Sequence, residues 1–68
     1  MLDFKLEGEF IQLIQLLKAT HLVQSGGEAQ MVVSDGLVKC NGEVDLRKRL
    51  KVRRGDIIEF KGTKINVQ

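Results

Sequence analysis

The chain has 68 residues, with one cysteine, one histidine, no proline, no tryptophan and no tyrosine. Each scarcity excludes something. A single cysteine, Cys40, cannot close an internal disulfide. Cys40 and His21 are the only soft metal ligands and do not cluster, so no metal site and no cofactor are expected. The fold must then stand on its apolar core. A chain this short buries only about 60% of the surface its unfolded form exposes. No apolar run approaches the roughly 20 residues of a membrane span. The longest candidate, around 10–17, is broken by Gln12 and Gln15. The N-terminus lacks the basic-then-apolar order of a signal peptide. These absences lead to the expectation of one cytoplasmic domain over residues 1–68, without membrane association. They also speak against an enzyme acting on a small molecule. No nucleophile has a visible base partner, and there is little room for a pocket of the usual size.

What is present is charge, unevenly placed. The formal net charge is only +2. Through Gly36, Lys5 and Lys18 face five acidic residues. From Leu37 onward, nine basic residues face four acidic ones. Six cations fall within the eight positions Arg47 to Arg54: Arg47, Lys48, Arg49, Lys51, Arg53 and Arg54. Such asymmetry between halves points to a polyanionic partner.

Hydrophobic spacing sets the expected elements. Phe4 and Leu6 alternate with charged neighbours over Asp3 to Glu7, a short half-buried strand. Phe10, Leu13, Ile14 and Leu17 recur at helical spacing, predicting a helix over 10–19 with Gln12, Gln15 and Ala19 on its solvent face. Glu9 and Lys18 would complement its dipole. Ser25-Gly26-Gly27-Glu28 fits a capping box opening a second helix, with Ala29, Val32 and Val33 inward. Gly36 stops that helix.

From Leu37 the period becomes two. Val38 and Cys40 alternate with Lys39, and Asn41-Gly42 is a strong hairpin signal. Leu46, Leu50 and Val52 are expected inward, with Arg47, Arg49, Lys51 and Arg53 outward on an extended segment. Outward side chains there would repeat about every 6.6 Å, comparable to the phosphate spacing of one nucleic-acid strand. Strands over 57–60 and 63–67 follow, with turns at Gly55-Asp56 and Gly62. The fold class is α+β: a helix pair laid on a small, mostly antiparallel sheet.

The basic run is the most informative feature. Each cation meeting a phosphate releases counterions, which sets affinity and its salt dependence. Arginine can hold two phosphate oxygens with its planar fork. The competing interpretation is a solvated strand face. All three phenylalanines fall at core-like positions, which favours shape and phosphate recognition of folded RNA over stacking on single strands. His21 is expected to be structural and Cys40 a buried, inert thiol. Asp56 and Glu59 read as turn and strand surface, and Arg54-Gly55-Asp56 as turn chemistry.

The order of elements resembles a known family. A helix is followed by Ser-Gly-Gly-Glu-Ala opening a second helix, then Asp35-Gly36-Leu37-Val38-Lys39-Cys40-Asn41-Gly42-Glu43-Val44, then Arg54-Gly55-Asp56-Ile57-Ile58. This resembles the alpha-L RNA-binding module named after small-subunit ribosomal protein S-four, and most of all the small stand-alone bacterial proteins built of little else. The resemblance spans about residues 10–60. It implies non-enzymatic binding of structured RNA, with ribosomal RNA one candidate. Carried over by position, the contact surface would be Ser25, Gly26 and Gln30 of the second helix and Lys39 and Asn41 of the hairpin. Arg47, Lys48, Arg49, Lys51 and Arg53 lie nearby in sequence. Many members carry arginine directly after the serine, where this chain has Gly26, so one phosphate contact is missing. The alternative is a protein-interaction adaptor whose basic strand meets an acidic partner. Oligomeric state is left open by the sequence.

Overall fold

The structure, a computed structural model, describes all 68 residues. In chain order it runs β1 (Leu2–Phe4), β2 (Ile11–Gln12), α1 (Leu13–Ala19), α2 (Gly26–Ser34), β3 (Val38–Cys40), β4 (Glu43–Val44), β5 (Lys51–Val52), β6 (Ile57–Phe60) and β7 (Thr63–Val67). Five strands form one sheet in the order β1-β7-β6-β3-β4. All its pairings are antiparallel except β1 with β7. A separate two-stranded ribbon pairs β2 with β5. Two helices thus pack on a mostly antiparallel sheet.

The core lies between these layers. Leu13, Leu16 and Leu17 of α1 and Ala29, Val32 and Val33 of α2 meet Val38, Ile58, Phe60, Ile65 and Val67 of the sheet in one cluster. All fourteen buried residues are apolar, so no polar group lies hidden within the core.

Both helices end in the same way. At α2, Gly36 adopts φ +74°, its N–H donates to Val33 O, and Leu37 N–H donates to Val32 O. This is a Schellman closure with glycine at the left-handed position. At α1 the left-handed position is His21, at φ 60°. Its N–H donates to Lys18 O and Leu22 N–H donates to Leu17 O. His21 is therefore a helix stop, exposed to solvent.

Several expectations are corrected here. Helix α1 begins at Leu13, because Ile11 and Gln12 pair with Val52 and Lys51 of β5. Phe10 and Glu9 consequently precede the helix, and Phe10 is 39% exposed rather than in the core. Leu16, not Phe10, completes the apolar face of α1. The capping box is shifted by one residue: Ser25 Oγ accepts Glu28 N–H, while Glu28 Oε1 accepts from Gln24 N–H. The first strand ends at Phe4 instead of reaching Glu7. Leu6, beyond it, is still buried and donates its N–H to Gln68 O.

The largest correction concerns the basic run. Only Lys51 and Val52 are strand. Residues 45–50 curl through a turn closed by Leu50 N–H to Arg47 O, and Leu46 is 61% exposed. The regular 6.6 Å comb of cations therefore does not form. Strand β5 can be no longer than its partner β2, which becomes a helix after two residues.

Candidate nucleic-acid interface

The curled segment gathers its charges instead of spacing them. Arg47, Arg49, Leu50, Lys51 and Arg53 line one open cleft of about 450 Å3 with no acidic residue in its wall. The six cations of the run divide by environment. Arg47 grips Asp45 with two hydrogen bonds, Nε to Oδ1 at 3.0 Å and Nη2 to Oδ2 at 2.7 Å. Those hydrogen bonds hold the Asp45 carboxyl below its ordinary pKa. The pair is intact at neutral pH and loosens as pH falls through that lowered value. Arg54 turns the other way and donates to the carbonyls of Leu6 and Gly8, at 2.7 Å each. Lys48, Arg49, Lys51 and Arg53 form no salt bridge and are exposed. Lys51 Nζ stands 5.0 Å from the centre of the Phe10 ring, a cation–π contact.

Helix α1 joins this cleft to the start of α2. Leu13 N–H donates to Leu50 O and Ile14 N–H to Lys48 O, so the basic turn is fastened to the first residues of α1. Lys18 lies one turn further along the Ile14 face. Its Cδ is 4.0 Å from where a Cβ on Gly26 would stand. Lys18 thus brings a cation beside the first residue of α2, where the resemblance expects an arginine. In the sequence, Lys18 reads only as a complement to the helix dipole. A short turn between the helices follows from a helix ending near residue 19 and a cap at Ser25, but the spacing does not show that it sets Lys18 beside Gly26.

The remaining predicted positions are distributed as follows. Ser25 caps α2, and Gln30 is exposed on that helix. Lys39 lies on the outer face of the sheet, opposite Val44 on one side and Glu59 on the other. Asn41 is at the hairpin turn, and its side chain is engaged within the protein. Its Oδ1 accepts Ile57 N–H at 2.9 Å and its Nδ2 donates to Asp56 Oδ1 at 3.1 Å. Asp56 Oδ2 in turn accepts Arg53 N–H. Lys39 and Asn41 line no part of the basic cleft. Cys40 is half-buried, and burial, with Asp56 and Asp45 adding to it, pushes its thiol pKa up. It is therefore held as the neutral thiol. No group of three or more His, Cys, Asp or Glu side chains is placed to hold a metal ion. No helix is long and apolar enough to cross a membrane.

The fold and the sequence together match a known class. The S4 domain family matches residues 4–68, and the chain belongs to that family. The Escherichia coli (strain K12) protein named "Putative RNA-binding protein YbcJ" is 35% identical over 57 residues, covering 84% of this chain and 81% of that protein. The Bacillus subtilis (strain 168) protein named "Probable ribosome maturation protein RlbA" is 39% identical over 57 residues, covering 84% and 80%. The solution structure of YbcJ from E. coli, described as revealing an alfaL motif involved in RNA-binding, superposes with a TM-score of 0.75 at 34% identity. That superposition covers 98% of this chain and 86% of YbcJ. These relatives are small bacterial proteins, as the resemblance implied.

Proposed function

We propose that this protein binds structured RNA without catalysing a reaction, as a single module acting in the cytoplasm. The observation that carries this reading is the cleft walled by Arg47, Arg49, Lys51 and Arg53, which has no acid of its own. Cations converging on one concavity suit a folded phosphate backbone better than an extended strand, because phosphates from several directions can be met at once. Lys48 flanks the cleft, and Lys18 beside Gly26 extends the positive surface along α1. The backbone N–H groups at the start of α2 add partial positive charge of the same sign. The names of the relatives favour RNA over other polyanions, and that of the B. subtilis relative makes ribosomal RNA the first candidate to test.

The test is a salt titration of binding to a ribosomal RNA fragment by fluorescence anisotropy. The triple variant Lys48→Ala, Arg49→Ala, Arg53→Ala should bind more weakly. Its dependence of log affinity on log salt should be shallower by roughly two, since each lost phosphate contact lowers that slope by about 0.7–0.9. Gly26→Arg should act in the opposite direction, tightening binding and steepening the slope by about one contact. Affinity and slope unchanged in the triple variant would overturn the assignment. Capture of one defined acidic protein that survives nuclease treatment would support the adaptor reading instead.

A further inference from the structure

The exposed ring of Phe10 lies between two concavities. On one side is the basic cleft, through Lys51. On the other is a second cleft of about 520 Å3, between residues 4–7 and 10–15, lined by Phe4, Phe10, Gln12 and Gln15 together with Lys5 and Glu7. Its size falls in the range of roughly 300–1,000 Å3 typical of small-ligand sites. Cross-strand register explains the arrangement. Gln12 and Lys51 are directly opposed in the β2–β5 ribbon and share its outer face, while Ile11 and Val52 share the inner one. Phe10, two residues before Gln12, continues the outer face. A flat apolar ring, a primary amide and a cation are therefore brought together by the ribbon, and a second amide, Gln15 in the first turn of α1, lines the same cleft as the ring.

That combination has a specific chemical complement. An unpaired nucleobase has an apolar face to stack and a polar edge with donors and acceptors. Each glutamine amide offers both a donor and an acceptor, and such amides can pair bidentately with adenine. Lys51 would meet the phosphate attached to that base. Glu7 repels a phosphate but can accept from an exocyclic amino group. We propose that the Phe10 cleft is a nucleobase pocket, in which an unpaired base of a bound RNA stacks on Phe10 with its edge facing Gln12 and Gln15. The proposal rests on the RNA-binding reading above and adds a preference to it: stems bearing an unpaired nucleotide should be bound better than uninterrupted ones.

Three RNA hairpins of identical stem test it with the full chain: one carrying a single bulged adenosine, one carrying an abasic bulge, and one fully paired. The wild-type protein should bind the bulged adenosine roughly ten-fold more tightly than either other hairpin, the scale of one base–aromatic stack. Phe10→Leu should lose that preference and bind the three hairpins with equal affinity. The protein has no tryptophan, so Phe10→Trp supplies a sole indole whose fluorescence should be quenched by the bulged adenosine and not by the abasic hairpin. Equal wild-type affinity for the three RNAs overturns the pocket and leaves the RNA-binding reading standing. An adenosine preference that survives in Phe10→Leu also overturns it. Binding to none of them overturns both.

Discussion

Asn41 adopts φ 52° at the β3–β4 turn, followed by Gly42 at φ 87°. Two consecutive left-handed residues make the turn type that matches the twist of a short hairpin. Asparagine tolerates this region better than other side chains that carry a Cβ. Here its amide also ties the turn to the start of β6 through Ile57 and Asp56. One residue thus fixes a turn and the register of a third strand. Asn41→Ala should lose both the conformational tolerance and the two hydrogen bonds, for a cost of about 2 kcal/mol. Asn41→Gly should lose only the hydrogen bonds and fall between that variant and wild type. Urea unfolding without RNA gives the ranking, and an alanine variant as stable as wild type would show that the amide network contributes nothing. At this scale the sequence was readable where backbone conformation is demanding: Asn41-Gly42, Gly36 and Gly62 all announce turns. Phe10 is not readable in this way, because its spacing to Leu13 and Ile14 also suits a helix. The pairing of Ile11 with Val52 decides otherwise, and nothing in the spacing of residues 10–17 reveals it.

The two helices show the same contrast between local and distant causes. Helix α2 carries its own instructions, with Ser25 at one end and Gly36 at the other, and its limits were legible. Helix α1 has neither a side-chain cap at its start nor glycine at its stop. Its start is set by β5, and its stop by His21 in a conformation that costs most residues free energy. The closures are otherwise alike, so the two positions can be compared directly. His21→Gly should stabilise the protein by about 0.5–1 kcal/mol, and Gly36→Ala should destabilise it by about 1 kcal/mol or more. Thermal unfolding of both variants checks the pair. A destabilised His21→Gly would mean that the imidazole supports the turn in a way its exposed position does not suggest. The basic run belongs here too. Alternation from Arg47 to Arg53 reads as a strand, yet strand pairing needs a partner, and β2 offers only two residues. The candidate interface was therefore legible in composition and not in shape.

Over the whole molecule, the ends of the chain meet. Strand β1 runs parallel to β7 and covers its free edge, an arrangement no local pattern encodes, because the partners stand some sixty residues apart. Gln68 N–H donates to Phe4 O, and Leu6 N–H returns to Gln68 O. Arg54 completes the junction by clamping the carbonyls of Leu6 and Gly8. Neighbouring arginines thus serve different ends: Arg53 lines the basic cleft, while Arg54 holds the N-terminal segment against the sheet. The same segment forms one wall of the Phe10 cleft, so this clamp also bears on the proposed base pocket. Arg54→Ala should cost about 1–2 kcal/mol, since it frees two carbonyls that accepted charge-assisted hydrogen bonds, one of them partly buried. Arg53→Ala should stay within about 0.5 kcal/mol of wild type, as an exposed side chain without a partner. Hydrogen exchange would locate the effect. In Arg54→Ala, the amides of Leu6 and Gln68 should exchange faster while those of Val33 and Ile58 follow only the global change. Uniform acceleration throughout the chain would instead mean that the N-terminal segment and the core open as one unit.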